Sequence, residues 1–128
     1  RLGVALLDDV AVPVSKISQL VSGVESIAKK HSVKVGVFGH AGDGNMHPTI
    51  IYPHNDKEAE GRALRAFNEI IALAQSLGGT ASGEHGIGGL KISALLNETP
   101  ERILKIQREI KLILDPNKIF NPGKKFPL

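Results

Sequence analysis

Hydrophobic positions along this chain switch between strand-like and helix-like spacing, and the switches mark out its elements. The opening RLGVALLDDVAVP reads as a strand that Pro13 closes. Val14, Ile17, Leu20, Val21, Val24, Ile27 and Ala28 then recur at helical intervals, so residues 14–30 are expected to form an amphipathic helix. VKVGVFGH and MHPTIIY are rich in β-branched residues and read as a second and a third strand. The alanine-rich segment from Asp56 to Leu77 reads as a long helix with Leu64, Phe67, Ile70, Ile71 and Ala74 on its buried face. Asn55 or Asp56 is its expected N-cap and Gly78-Gly79 its stop.

GTAS is expected to be a short further strand, leading into the glycine-rich GEHGIGGLK. TPERILKIQREIKLIL then carries helix-start signals in order. Thr99 reads as the cap, Pro100 as the first helical position, and Glu101 lies where the helix dipole favours an acid. Asp115-Pro116-Asn117 stops that helix. The order β-α-β-β-α-β is the split βαβ of ferredoxin-like folds. The expected fold is therefore α+β, an antiparallel sheet with helices on one face, followed by a C-terminal helical tail. The boundary is expected near residue 86, giving a ferredoxin-like portion over 1–85 and the tail over 86–128.

Composition narrows the function classes. The chain of 128 residues is enough for one domain with a real core. No apolar run approaches the ~20 residues that a membrane helix needs, so no transmembrane segment is expected. A start at Arg1, already inside an apolar pattern, suggests a piece of a longer protein. The absence of cysteine removes disulfides and thiolate metal sites, so a transition metal must rely on His, Asp or Glu. It also fits a cytoplasmic protein, at most peripheral to a membrane. The net charge of +3 collects after Thr99, where Arg102, Lys105, Arg108, Lys111, Lys118, Lys124 and Lys125 outnumber Glu101, Glu109 and Asp115. With one Tyr, four Phe and no Trp there are few platforms for stacking bases, which argues against a nucleic-acid partner.

The first candidate chemistry lies in GHAGDGNMH, between the second and third strands. In a hairpin, Asp43-Gly44 is the natural two-residue turn, of type I′. That register sets His40 opposite His47, Ala41 opposite Met46 and Gly42 opposite Asn45. Opposed residues share a face with Cβ atoms about 4.5–5.5 Å apart, so the two imidazoles could converge on one ion. A helix would also align them, but Gly42, Gly44 and Pro48 would break it. The plainer alternative is a polar hairpin with two surface histidines. Asp43 reads as turn support, and Asn45 as turn support or a ligand contact.

SGEHGIGG supplies the second constellation. Glycines on both sides of Glu84-His85 allow close backbone approach and leave amides to bind an anion. Glu84 would complete a His-His-Glu set with His40 and His47 around a divalent metal. His85 would point to the other side of the site, placed to act as a general base. Alternatively, Glu84 caps the following helix and His85 is a buried turn residue. His31 suits a helix C-terminus, and His54 lies in a polar loop.

Three stretches, HAGDGNMHP, GGTASGEHGIGGLK and LDPNKIFNPGK, together with DVAVPVSKI near the start, resemble the C-terminal domain of FAD-linked oxidases. That group includes glycolate oxidase FAD subunits, D-lactate dehydrogenases and D-2-hydroxyglutarate dehydrogenases, within the vanillyl-alcohol-oxidase/p-cresol-methylhydroxylase flavoproteins. The resemblance implies a zinc-type divalent metal on His40, His47 and Glu84, with His85 as the base that removes the substrate hydroxyl proton. It implies that Asn45 lies close to substrate and that Asn121, heading NPGK, lies in a tail that returns to the flavin. Residues 1–85 would then be part of a substrate (cap) domain. An N-terminal domain absent from these 128 residues would hold most of the FAD. The implied reaction oxidises a 2-hydroxy acid to a 2-oxo acid with hydride transfer to FAD and onward passage of electrons to an acceptor or partner subunit. Two other readings stay open: a small metal-dependent hydrolase on the same residues, and a non-enzymatic ferredoxin-like binding module.

Overall fold

The computed structural model describes residues 3–125, and the chain divides into two compact units, Arg1–His85 and Gly86–Leu128. The first unit contains strands β1 (Val4–Leu7) and β2 (Val10–Ala11), helix α1 (Ile17–His31), strands β3 (Lys34–His40) and β4 (Asn45–Tyr52), and helix α2 (Lys57–Ser76). A 3₁₀ turn over Val14–Lys16 forms the first part of the helix expected from residue 14.

β4 is the centre of the sheet, antiparallel to β3 on one side and to β1 and β2 on the other. β1 and β2 follow one path in one register, interrupted at Asp8 and Asp9. Pro48 accounts for the interruption. The Asp8 amide donates to the Pro48 carbonyl at 2.9 Å, but proline has no N–H with which to return the bond.

Thr80 bridges antiparallel to Ala11 on the outer side of β2. The sheet order is therefore fourth, first, third, second, as a split βαβ requires, with the fourth strand reduced to a single bridge. GTAS does not extend further as a strand because the amides that follow it are taken by a side chain and not by the sheet: Gly83 and His85 both donate to Asp9.

The two helices pack on one face of the sheet. Leu20, Val24 and Ile27 of α1 meet Ala63, Phe67, Ile70 and Ala74 of α2 over Val10, Met46 and Ile50. Asp56 caps α2, its carboxylate accepting from the Ala59 amide at 2.9 Å. Glu69 of α2 ties back to α1 through Lys30 (2.8 Å) and His31 (2.7 Å). Among the described residues no helix of this unit covers the opposite face of the sheet, which carries Asp9, His47 and Phe38.

The second unit holds α3 (Ile92–Glu98) and α4 (Glu101–Leu114) around Ile87, Leu95 and Leu104. α3 was not expected, and Thr99 does not cap α4. Thr99 is instead the extended C-cap of α3, and Pro100 is the N-cap residue of α4. A residue before proline is steered away from helical dihedrals, so one Thr-Pro pair ends one helix and starts the next. Among the described residues no helix is long and apolar enough to cross a membrane.

Candidate functional site

The β3–β4 hairpin differs from the expected one in its turn. His40 pairs with Asn45, Gly39 with Met46 and Phe38 with His47, so the loop is the four residues 41–44. The amides of Asp43 and Gly44 both donate to the His40 carbonyl, and the Asp43 carboxylate accepts from the Asn45 amide at 3.1 Å. Gly44 sits at φ +82°, where a Cβ would lie 1.9 Å from the Val12 carbonyl oxygen. Relative to the expected register β3 is shifted by two residues against β4, and an even shift preserves the face on which every side chain lies.

His40 and His47 therefore remain neighbours, now diagonal and not directly opposed, with ring centroids 5.4 Å apart and planes nearly perpendicular. The register shared by β1 and β2 sets Asp9 level with His47 on the same open face. Across that face Asp9, His47 and Phe38 form one row, and Ala11, Asn45 and His40 the next. The segment Ser82–His85 then lies over the first row. This is why His47 is only 5% exposed although it faces away from the helices.

Glu84 Oε1 is the focus of the cluster. It lies 3.0 Å from His40 Nε2, 3.2 Å from His47 Nε2 and 3.7 Å from His85 Nε2. His85 does not point to the far side of the site. Its ring stacks on His47 with centroids 4.8 Å apart and planes within 8° of parallel. His40, Glu84 and His85 are each about half exposed, so the cluster is reachable from solvent while His47 anchors it from below.

The donors suit a divalent cation. His40, His47 and Glu84 offer two imidazole nitrogens and one carboxylate oxygen, all within 4.8 Å of one another. Donor atoms around a tetrahedral zinc-type ion, with bonds of about 2.0–2.2 Å, stand roughly 3.3–3.6 Å apart. The observed spacings of 3.0 and 3.2 Å are close to that.

Asn45 is more structural than expected. It is buried, and its Nδ2 donates to Asp9 Oδ1 at 2.8 Å and to the Val10 carbonyl at 3.1 Å. Asn121 lies in the second unit at φ +48°, in a pocket lined by Lys111, Phe120 and Lys124. Asp115 shapes that loop. Its carboxylate accepts from the Ile119 and Phe120 amides at 3.0 Å and pairs with Lys111. The Lys111 ammonium, followed by those two amides, holds the Asp115 carboxyl below the usual carboxylate range.

One residue of the site, Asp9, was not singled out from sequence. Its signal was there: two acids in succession inside an apolar strand, where period-two alternation turns one of them to each face.

Residues 1–125 match the family described as FAD linked oxidases, C-terminal domain. Over 94% of its length the chain is 40% identical to the glycolate oxidase subunit GlcD of Bacillus subtilis (strain 168), covering 26% of that protein. It is 37% identical over 96% of its length to the mitochondrial D-lactate dehydrogenase [cytochrome] of Arabidopsis thaliana, covering 22% of it. Identity to the D-lactate dehydrogenase of Archaeoglobus fulgidus is 38% over 91% of the chain, covering 25% of that relative. The chain thus spans about a quarter of the length of these relatives. With one family pattern running through both units and both glycine-rich motifs, the chain belongs to the family of FAD-linked oxidase C-terminal domains.

Proposed function

We propose that this chain is the substrate-side part of a flavin-dependent 2-hydroxy-acid dehydrogenase or oxidase, of the glycolate or D-lactate type. The observation that carries the reading is the convergence of His40, His47 and Glu84 beside a further histidine, His85, that the metal set does not require. The names of the relatives, glycolate oxidase subunit and D-lactate dehydrogenase, point to the same chemistry.

In this reading His40, His47 and Glu84 hold a divalent metal such as zinc. FAD is held mainly by a region outside these residues, with Asn121 and its loop reaching toward it. When bound, the metal supplies a Lewis acid for the substrate hydroxyl and carboxylate oxygens, and the flavin supplies the two-electron acceptor. His85 Nε2 receives the hydroxyl proton. Stacking on His47 fixes the plane of that imidazole, and its half-exposed edge can release the proton to water. Phe38, beside His47 and exposed, offers an apolar wall to the substrate's carbon chain. With its Nδ2 committed to Asp9 and Val10, Asn45 meets substrate only through its carbonyl oxygen. The product is a 2-oxo acid, and an acceptor or partner subunit takes up the electrons. The residues described here are not a catalyst without the flavin-binding region, and a cytoplasmic setting, at most peripheral to a membrane, accords with the reading.

The test is dye-linked oxidation of glycolate and of paired D- and L-lactate by the full-length flavoprotein that carries this sequence, with His85→Ala beside it. Turnover of glycolate or of one lactate enantiomer is expected, with kcat reduced at least ~10²-fold in the variant while flavin content is unchanged. A flavin-loaded, folded parent that turns over none of these acids would overturn the reading.

A further inference from the structure

We infer that Asp9 is the positioning residue of this site: its carboxylate clasps the loop that carries Glu84 and His85 and backs the imidazole of His47. The consequence for metal binding rests on the function proposed above; the clasp itself does not.

Asp9 is 2% exposed, and a buried carboxylate persists only where donors compensate its charge. Here the donors are the loop's own main chain. Oδ2 accepts from the Gly83 amide at 2.9 Å and the His85 amide at 3.0 Å. Oδ1 accepts from the Glu84 amide at 3.3 Å and from Asn45 Nδ2 at 2.8 Å. A carboxylate has about four lone-pair sites, enough to accept from all four of these donors. Three successive amides therefore turn toward one side chain, and the Glu84 and His85 side chains are held out over His47.

Gly83 shows how closely the loop is seated. A Cβ there would stand 1.9 Å from Asn45 Nδ2 and 2.5 Å from Asp9 Oδ1. On its other side Asp9 lies behind His47. Oδ1 is 3.4 Å from His47 Nδ1, while His47 Nε2 faces Glu84 Oε1 at 3.2 Å. This is a charge contact and not a hydrogen bond, and a buried negative charge behind the ring favours a cation in front of it. The ligand atoms of Asp9, His47 and His85 also lie within 4.8 Å of one another, so Asp9 is itself a possible metal donor. With its oxygens engaged by four donors, it is assigned to holding the site and not to ligation.

Asp9→Asn keeps the size of the side chain but replaces one acceptor oxygen with an NH₂ group that must face N–H donors. The test compares wild type, Asp9→Asn and Glu84→Gln in two readouts: amide hydrogen exchange at Gly83, Glu84 and His85, and Co²⁺ titration followed by its visible absorption. Asp9→Asn is expected to lose exchange protection at the three loop amides while the helices keep theirs. It is also expected to bind Co²⁺ about 10–100-fold more weakly, with an altered absorption band. Loop protection and Co²⁺ affinity both as in wild type would overturn the inference. Glu84→Gln should weaken Co²⁺ binding with the loop amides still protected. If wild type itself binds no Co²⁺, the metal reading fails separately, and the exchange pattern alone decides the role of Asp9. Should Asp9→Asn not fold, Gly83→Ala strikes the clasp from the loop side. It is expected to lose the same three protections, and a loop still protected as in wild type would overturn the inference.

Discussion

His47 is held by residues distant in sequence. Asp9 comes from the strand path before α1, Phe38 from the paired strand, and Glu84 and His85 from the loop after α2. The histidines, Glu84 and the glycines around them were legible because they are chemically unusual residues crowded into short stretches. Asp9 left only the signal of two successive acids in an apolar strand, and the amides that it binds carry no sequence signature. The glycine at 44 allows a prediction at this scale. Gly44→Ala would add a Cβ 1.9 Å from the Val12 carbonyl oxygen, at a positive φ that L residues rarely adopt. It should cost about 1–3 kcal/mol, read as a lower urea midpoint. An unchanged midpoint would show that the loop relaxes without strain.

At the scale of elements, periodicity was the reliable signal and ends were not. α1, α2, β3 and β4 lie where apolar spacing puts them. Asp-Gly is a strong signal for a two-residue turn, but the loop has four residues, and within it Gly44 approaches Val12 more closely than any local pattern reports. α3 was missed because it spans only seven residues, and its closing Thr-Pro resembles a helix start.

Asp56→Ala removes the N-cap of α2 and should cost about 0.5–2 kcal/mol in chemical denaturation. Glu69 joins α2 to α1, and its carboxyl is held below the usual range first by Lys30 and then by His31. A depressed folded-state pKa means that its stabilisation is present above the unfolded-state value and is lost as pH falls through the folded one. Glu69→Gln should therefore lower stability slightly at neutral pH, with the difference from wild type closing in acid. A difference that persists unchanged at low pH would assign the effect to something other than the ion pairs. The Lys30 pair is exposed and the His31 pair only part-buried, so the effect should be small.

Across the whole molecule, the split βαβ arrangement explains why the site is where it is. Helices cover one sheet face, which leaves the other to carry a row of polar side chains that a soluble sheet would otherwise have little reason to bury. The path from Thr80, anchored at Ala11, delivers residues 82–85 over that row. The fold order was legible because elements alternate in a recognisable sequence. The depth of His47 was not, because it depends on a loop that leaves the sheet edge after one bridge.

The most direct measurement is the zinc stoichiometry and affinity of the purified protein, by calorimetric titration at neutral pH, with His40→Ala and His47→Ala titrated beside wild type. One tightly bound ion per chain is expected, with each variant weaker by at least about a hundredfold, since a lost ligand should cost no less than a lost supporting contact. A folded wild type that binds no zinc, or zinc binding that survives unchanged in both variants, would contradict that expectation.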